Sequence, residues 1–282
     1  MSIIEEAVRK TAQRYNRVAP PAETMMNRPR APRRPAPAPV DAANVRTFRS
    51  IELDDQALAD NHILPQITDP AALRAYKILR TRLLRRLEAN QWRSLAVTGV
   101  TAGEGKTLTA INLAIALAHE VNTWVFLVDL DLQRPRIADY LGMSSMQGEK
   151  GVSDYLLGDA TFEDIVYSPS IERLSLIPNF RPITQASELL SSPRMTELLR
   201  SLEGESPRRI IIFDMPPVLA ADDVLAFGPQ VDGLLLVVGE GTTGRDALKS
   251  AKEVLAEMNL LGVVLNRSNE RNDSAYYSYA RT

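Results

Sequence analysis

Residues 94–107 read Ser94-Leu-Ala-Val-Thr-Gly-Val-Thr-Ala-Gly-Glu-Gly-Lys-Thr107, and a helix-like segment, Leu108 to Ala118, follows directly. An apolar run, a glycine-rich turn and a helix start closing on Gly-Lys-Thr form a strand–loop–helix unit. Such a turn aims successive backbone N–H groups at a phosphate chain. The helix N-terminus adds partial positive charge, Lys106 adds a full one, and the Thr107 hydroxyl can ligate Mg²⁺. Against the pattern G-x-x-x-x-G-K-[ST] one glycine is displaced, because Val100 holds the first glycine's place and Gly99 lies one residue early. The phosphate-contacting set expected here is Gly103, Glu104, Gly105, Lys106, Thr107 and Leu108, and the ligand it implies is a nucleotide.

From Arg93 onward, strands and helices alternate. Apolar strand candidates are Leu95–Thr98, Trp124–Val128, Leu174–Pro178, Ile210–Phe213, Leu234–Val238 and Leu261–Leu265. Helical stretches are expected at Leu108–His119, Met195–Leu202, Asp222–Phe227 and Asp246–Met258. Short apolar strands without alternation, separated by helices, imply an α/β fold whose mostly parallel sheet is covered on both faces. Ligands in such sheets bind beyond the carboxyl ends of the strands. An earlier helix is predicted from Pro70 to about Ala89, with Asp69 as its cap and Pro70 at its first position. Its buried stripe is Leu73, Tyr76, Leu83, Leu84 and Leu87, and Arg74, Lys77, Arg80, Arg82, Arg85 and Arg86 crowd the remainder, either as a solvated face or as a contact surface.

The chemistry-bearing residues fall at strand ends. The second strand runs into Asp129-Leu-Asp131, two carboxylates beside the phosphate loop. One can hold Mg²⁺ or its waters, and the other can orient or deprotonate an attacking hydroxyl. The fourth ends Ile-Ile-Ile-Phe-Asp214-Met-Pro-Pro217, four apolar residues and an acid, the Walker B arrangement for Mg²⁺. Thr107, Asp131 and Asp214 are therefore the metal-binding candidates. The last strand ends Leu265-Asn266-Arg267, where an amide could read the edge of a base and an arginine could stack on its ring. Three of the chain's eight tyrosines, Tyr276, Tyr277 and Tyr279, lie within the last seven residues. A polar tail has no packing reason to hold them, so they read as phosphate acceptors or as a docking peptide.

Composition sets outer bounds. A length of 282 residues with 45% hydrophobic residues allows one large domain, or one ordinary domain plus a tail. The absence of cysteine excludes disulfides, thiolate metal sites and cysteine nucleophiles, and His62 and His119 read as structural or solvated. No apolar run approaches the roughly 18–20 residues that span a bilayer, and the start MSIIEEAVRK lacks a signal-peptide core, so a cytoplasmic location is expected. Residues 1–50 carry ten Arg/Lys against four acids, leaving about −8 on the remainder for a chain total of −2. An acidic body of this kind argues against nucleic acid as the main ligand. Ser2 to Tyr15 fits a short amphipathic helix with a capping-box pattern at Ser2 and Glu5, and Pro20 to Pro39 fits an extended, disordered linker. The organisation expected is a helix over 1–18, a Pro/Arg-rich linker over 19–68, a nucleotide-binding domain over 69–268 and a tyrosine-bearing tail over 269–282.

Together these features resemble the bacterial tyrosine kinases of capsule and exopolysaccharide systems, of the cytoplasmic CpsD/CapB-like type. The resemblance covers roughly residues 70–282 and rests on the A-G-E-G-K-T loop, the Asp129-x-Asp131 strand end and Phe-Asp214-Met-Pro-Pro followed by Val-Leu-Ala-Ala-Asp. Val-Asp-Gly-Leu-Leu-Leu-Val-Val, Leu-Gly-Val-Val-Leu-Asn-Arg and the tyrosine tail complete it. It implies a P-loop NTPase fold and ATP/Mg²⁺-dependent autophosphorylation of the tail between neighbouring subunits. Partners would be a transmembrane polysaccharide co-polymerase that sets chain length, a cognate tyrosine phosphatase and further copies of the chain, at the inner membrane. By position, the resemblance makes Lys106 the phosphate contact, Thr107 and Asp131 metal-holding groups, Asp129 the candidate base and Asp214 the Walker B acid. Two departures stand out. Gln133 occupies a position often basic in the family, and Arg74, Lys77 and Arg80 replace an E-x-x-R-x-x-R motif, turning an intersubunit ion pair repulsive. ParA/MinD-type switch ATPases share the fold but carry a signature lysine where this chain has Thr101. A nucleotide-binding regulatory subunit without transfer activity is the remaining alternative.

Overall fold

The computed structural model describes residues 48–143, 146, 148–203 and 208–268. The N-terminal helix, most of the linker and the tyrosine tail expected from the sequence lie outside them. In chain order the elements are β1 (Arg49–Ile51), α1 (Asp55–Asp60), α2 (Pro70–Asn90), β2 (Ser94–Gly99), α3 (Lys106–Ala118), β3 (Thr123–Asp129), α4 (Ile137–Tyr140), α5 (Val152–Leu157) and α6 (Phe162–Ile165). They continue with β4 (Tyr167–Pro169), β5 (Leu174–Ile177), α7 (Ala186–Leu190), α8 (Pro193–Glu203), β6 (Arg208–Asp214), α9 (Asp223–Phe227), β7 (Gly233–Gly239), α10 (Arg245–Val254) and β8 (Leu260–Asn266).

The eight strands form one sheet in the order β1-β4-β5-β3-β6-β2-β7-β8. Every pairing is parallel except β4 with β5. The absence of alternation in the central strands has a direct cause: both faces are buried. Leu95 and Val97 point into the core shared with α2 and α3, where Leu83, Leu87, Ile111 and Ile115 pack, while Ala96 between them faces the opposite core. Phe126, Phe213, Leu234 and Leu236 supply that second core, closed by Met195, Leu198 and Leu202 of α8 and Ala251 of α10. Helix α3 is covered nearly all round, which explains its uniformly small or apolar sequence.

Local chemistry sets the boundaries of α2. The Asp69 carboxylate accepts the Ala71 N–H at 3.0 Å, Pro70 opens the helix, and Gln91 ends it in the left-handed region at φ 58. At the base of the sheet, Asp232 Oδ2 accepts the Arg93 N–H, the Ser94 N–H and the Ser94 hydroxyl at 2.7, 2.9 and 2.9 Å, joining the start of β2 to that of β7.

One boundary is corrected. Residues 48–68, expected as the end of the linker, contain β1, which pairs with β4, and α1, capped by Asp54. Leu58, Ile63 and Leu64 are buried, and Asn112 of α3 holds this segment by accepting the Leu64 N–H at 2.8 Å and donating to the His62 carbonyl at 3.0 Å. A three-residue strand carries too little periodicity to register in sequence, and its edge pairing becomes visible only beside β4.

Candidate active site

Four strands deliver their carboxyl ends to one place. β2 supplies the phosphate loop, β3 the Asp129–Asp131 segment, β6 Asp214 and β8 Asn266. In the register of β3 against β6, Asp129 lies opposite Asp214, and Val97 of β2 pairs with Asp214 from the other side. Two carboxylates are thus set side by side on adjacent strands, directly next to the strand that carries the loop.

Lys106, the first residue of α3, neutralises them. Its Nζ lies 2.9 Å from Asp131 Oδ2, 3.5 Å from Asp214 Oδ1 and 3.2 Å from the Thr107 hydroxyl. Thr107 Oγ1 donates to Asp214 Oδ2 at 2.6 Å. Burial alone would depress the Lys106 ammonium, but the facing Asp214 and Asp131 charges outweigh it and hold the proton more tightly than in a free lysine. For Asp214, burial raises the proton affinity, against the opposing pull of Lys106 and Thr107. Asp129 is raised well above the usual carboxylate range, first by complete burial and then by the charge of Asp214.

The two acids of the β3 end differ in attachment. Asp129 Oδ2 accepts the N–H groups of Arg136 and Ile137 at 3.1 and 3.0 Å, and Oδ1 accepts that of Asp131 at 3.3 Å. It therefore folds the 130–137 turn back over itself. Asp131 accepts the Arg134 N–H at 3.2 Å and gives its other oxygen to Lys106. The segment opens out of the strand as the sequence reading required.

Within the loop, Gly103 and Gly105 take φ of 83 and 86, a region closed to most side chains, and a Cβ on Gly105 would collide with the Asn266 amide. Glu104 is buried, its carboxylate turned into the loop, where it accepts the Val100 and Thr101 N–H groups. Asn266 donates to the Glu104 carbonyl at 2.8 Å, and Arg267, exposed and left-handed at φ 58, ends β8 beside it. Leu108 is half-buried in the first turn of α3. Tyr276, Tyr277 and Tyr279 lie outside the described residues.

Two residues at the site were not singled out in the sequence. Asp223 opens α9 and is 1% exposed; burial and then the neighbouring Asp222 push it up to about 6. Its Oδ2 accepts from Gln133 at 3.4 Å, and its Oδ1 is buried with no hydrogen-bond partner. Next to Asp222 in sequence it reads as one of two ordinary helix-start acids. Thr243, in the turn after β7, donates to Glu104 from 139 positions away, and nothing local could have signalled that. On α2, Arg80 is engaged within the chain, pairing with Glu120 at 3.1 Å.

The donors around Asp214 are all oxygen: the Thr107 hydroxyl and the Asp131 and Asp214 carboxylates. That set suits a hard divalent cation. Among the described residues no group of three or more His, Cys, Asp or Glu side chains is arranged to hold a metal unaided. A Mg²⁺ here would accordingly share its sphere with water and nucleotide phosphate, as that ion commonly does. The buried Asp214 Oδ1, lacking a hydrogen-bond partner, is an oxygen available to such a sphere.

A family model described as an AAA domain matches residues 93–228. The chain is similar to the tyrosine-protein kinase YwqD of Bacillus subtilis, 31% identical over 217 residues that cover 76% of this chain and 89% of that protein. It is similar to the tyrosine-protein kinase wzc of Salmonella typhi, 30% identical over 220 residues that cover 74% of this chain but 29% of that much longer protein. Among solved structures, the kinase domain of Escherichia coli tyrosine kinase ETK superposes with a TM-score of 0.65 at 28% identity, covering 74% of this chain and 82% of that one.

Proposed function

The chain belongs to the bacterial tyrosine-protein kinases, and from that premise we propose that it transfers the terminal phosphoryl group of ATP to tyrosines of its own tail. The observation that carries the proposal is the convergence of Lys106, Thr107, Asp131 and Asp214 within hydrogen-bonding or ion-pairing reach of one another at the mouth of the phosphate loop. The backbone of Gly103 to Leu108 cradles the phosphates, with Lys106 as their counter-charge. Thr107, Asp131 and Asp214 would hold Mg²⁺, which would supply neutralisation of phosphate charge. A tail phenol oxygen forms the new bond to phosphorus as the bond to the bridging oxygen of ADP breaks. The phenol proton passes to a carboxylate, for which Asp129 is the candidate: its raised proton affinity suits a base. Asn266 and Arg267, at the end of β8, are the proposed adenine contacts.

Tyr276, Tyr277 and Tyr279 are the proposed acceptors, supplied by a neighbouring copy of the chain. The wider setting we propose is exopolysaccharide or capsule export, with phosphorylation governing assembly with a transmembrane chain-length co-polymerase and a tyrosine phosphatase reversing it. Wzc is far longer than this chain, and no helix of the described residues is long and apolar enough to cross a membrane. The arrangement we propose is a kinase that reaches the inner membrane from the cytoplasm through a separate partner. The switch-ATPase alternative loses ground, because the similar proteins are named tyrosine kinases and Thr101 stands where a switch ATPase carries lysine.

Purified full-length protein incubated with ATP and Mg²⁺ should gain phosphate on Tyr276, Tyr277 or Tyr279, seen by intact mass and peptide mapping, and Lys106→Ala should abolish it. ATP hydrolysis without tail phosphate, even with the membrane partner present, would return the reading to the switch class.

A further inference from the structure

Glu104 lies in the middle of the phosphate loop yet is only 1% exposed. Its Oε2 accepts the Val100 N–H at 2.5 Å and the Thr101 N–H at 3.0 Å. Oε1 accepts the Thr101 hydroxyl at 3.2 Å and the hydroxyl of Thr243. Thr243 is itself fixed: its hydroxyl oxygen accepts the Gly239 N–H at 3.1 Å, and its own N–H donates to the Gly239 carbonyl at 3.1 Å. Through the Glu104 carbonyl and Asn266, the same residue is tied to the end of β8. One side chain thus joins the front of the phosphate loop to the turn after β7.

This arrangement accounts for the displaced glycine of the motif. A Cβ on Gly99 would collide with Glu104 Oε2, so the glycine stands where the carboxylate lies, whereas Val100 is fully buried and has no positive φ to require one. It also poses an electrostatic question. A buried carboxylate behind a loop that binds anions opposes the ligand and is costly to desolvate, so it persists only while its oxygens are satisfied. Four donors satisfy it here, and Thr243 is the one that comes from outside the loop. Without that donor, Oε1 keeps a single partner, and rotation of Glu104 toward water would release the Val100 and Thr101 amides and let the loop relax.

We infer that Thr243 is a positioning residue for nucleotide binding, holding the phosphate loop in its binding shape through Glu104. The inference rests on the reading of that loop as an ATP site. The test measures ATP affinity by titration calorimetry and tail phosphorylation kinetics on the full chain. Thr243→Val should raise Kd and KM for ATP about tenfold, the scale of a lost hydrogen bond to a charged group, with kcat at saturating ATP within about twofold. Thr243→Ser should restore both constants, and Thr243→Val combined with Glu104→Gln should lose no more than the worse single variant. A melting temperature matching wild type separates this from general destabilisation. Normal ATP binding by wild type with no change in Thr243→Val overturns the strut alone, as does a fall in kcat at constant KM. No ATP binding by wild type overturns the nucleotide reading and the strut together.

Discussion

The Thr107 hydroxyl donates to Asp214 Oδ2 at 2.6 Å, joining the first turn of α3 to the last residue of β6. The second oxygen of the same carboxylate is buried, lacks a hydrogen-bond partner and lies 3.5 Å from the Lys106 ammonium. Asp214 therefore has one oxygen committed to the protein and one directed at a charge that a bound nucleotide and its cation would engage.

Asp214→Asn separates folding from chemistry at this point. The amide keeps the shape and can still accept from Thr107, but the buried charge is gone. Burial holds the Asp214 proton affinity above the ordinary range, so ionising this group opposes folding, and the variant should melt at or above the wild-type temperature. Tail phosphorylation should fall by about 100-fold or more, on the scale of losing one preorganised charge-stabilising group. Calorimetry and a phosphate-incorporation assay on the same preparation check both halves.

Lys106→Met should do the opposite to stability. The substitution leaves Asp129, Asp131 and Asp214 facing one another without a cation. Removing one partner of a buried ion pair costs about 3 kcal/mol. The sign of its pH dependence follows from proton binding. Folded Asp129 and Asp214 bind protons more tightly than their unfolded counterparts, so stability falls as pH rises and recovers on acidification. Urea unfolding at pH 5 and pH 8 should show the deficit chiefly at pH 8.

Asp223 carries the same sign by itself in wild type. Its folded proton affinity is pushed up to about 6 from the ordinary 3.8, by burial and then by Asp222. The folded state binds the extra proton, so the group opposes folding progressively from about pH 4 to pH 6 and fully above that. Asp222, Asp131 and Glu188 face it with like charge, and Gln133 donates to it. Asp223→Asn should flatten that slope and gain on the order of 1–3 kcal/mol at pH 7. Unfolding curves that keep the wild-type slope between pH 4 and pH 6 would contradict the assignment.

How far the sequence could be read depended on how far each signal travels along the chain. Six strands, α2 with its Asp69 cap, α3 and α8 follow from local apolar runs and caps, and the structure places each within a few residues of expectation. The neighbouring strands β1 and β4, three residues each, carry no such signal. At the site, Lys106, Thr107, Asp131 and Asp214 stand in recognisable motifs because phosphate and metal chemistry dictates residue type at short spacing. The partners that hold these motifs in place follow a different rule. Thr243 and Asp223 act across the sheet, where any residue with a donor or an acceptor in the right place suffices. Glu104 shows the limit from the other side: within the motif it reads as a ligand contact, while its carboxylate faces into the loop.

Asp232 should behave as the control for all of these, because it lies at the other end of the sheet. Its Oδ2 takes three donors from Arg93 and Ser94, and its own N–H donates to the Ser94 hydroxyl at 3.0 Å. This reciprocal latch sets the register of β2 against β7, in which Leu95 pairs with Gly233. Asp232→Ala leaves two backbone N–H groups and a hydroxyl without their acceptor at the start of a central strand, a loss of about 2 kcal/mol. Gly99 and the phosphate loop, a full strand length away, keep their own hydrogen bonds, so kcat and the KM for ATP should match wild type at temperatures where both proteins are folded. Denaturant unfolding together with steady-state phosphorylation checks the pair of outcomes. A tenfold rise in the KM for ATP would mean that the latch at the base of β2 governs the loop at its tip.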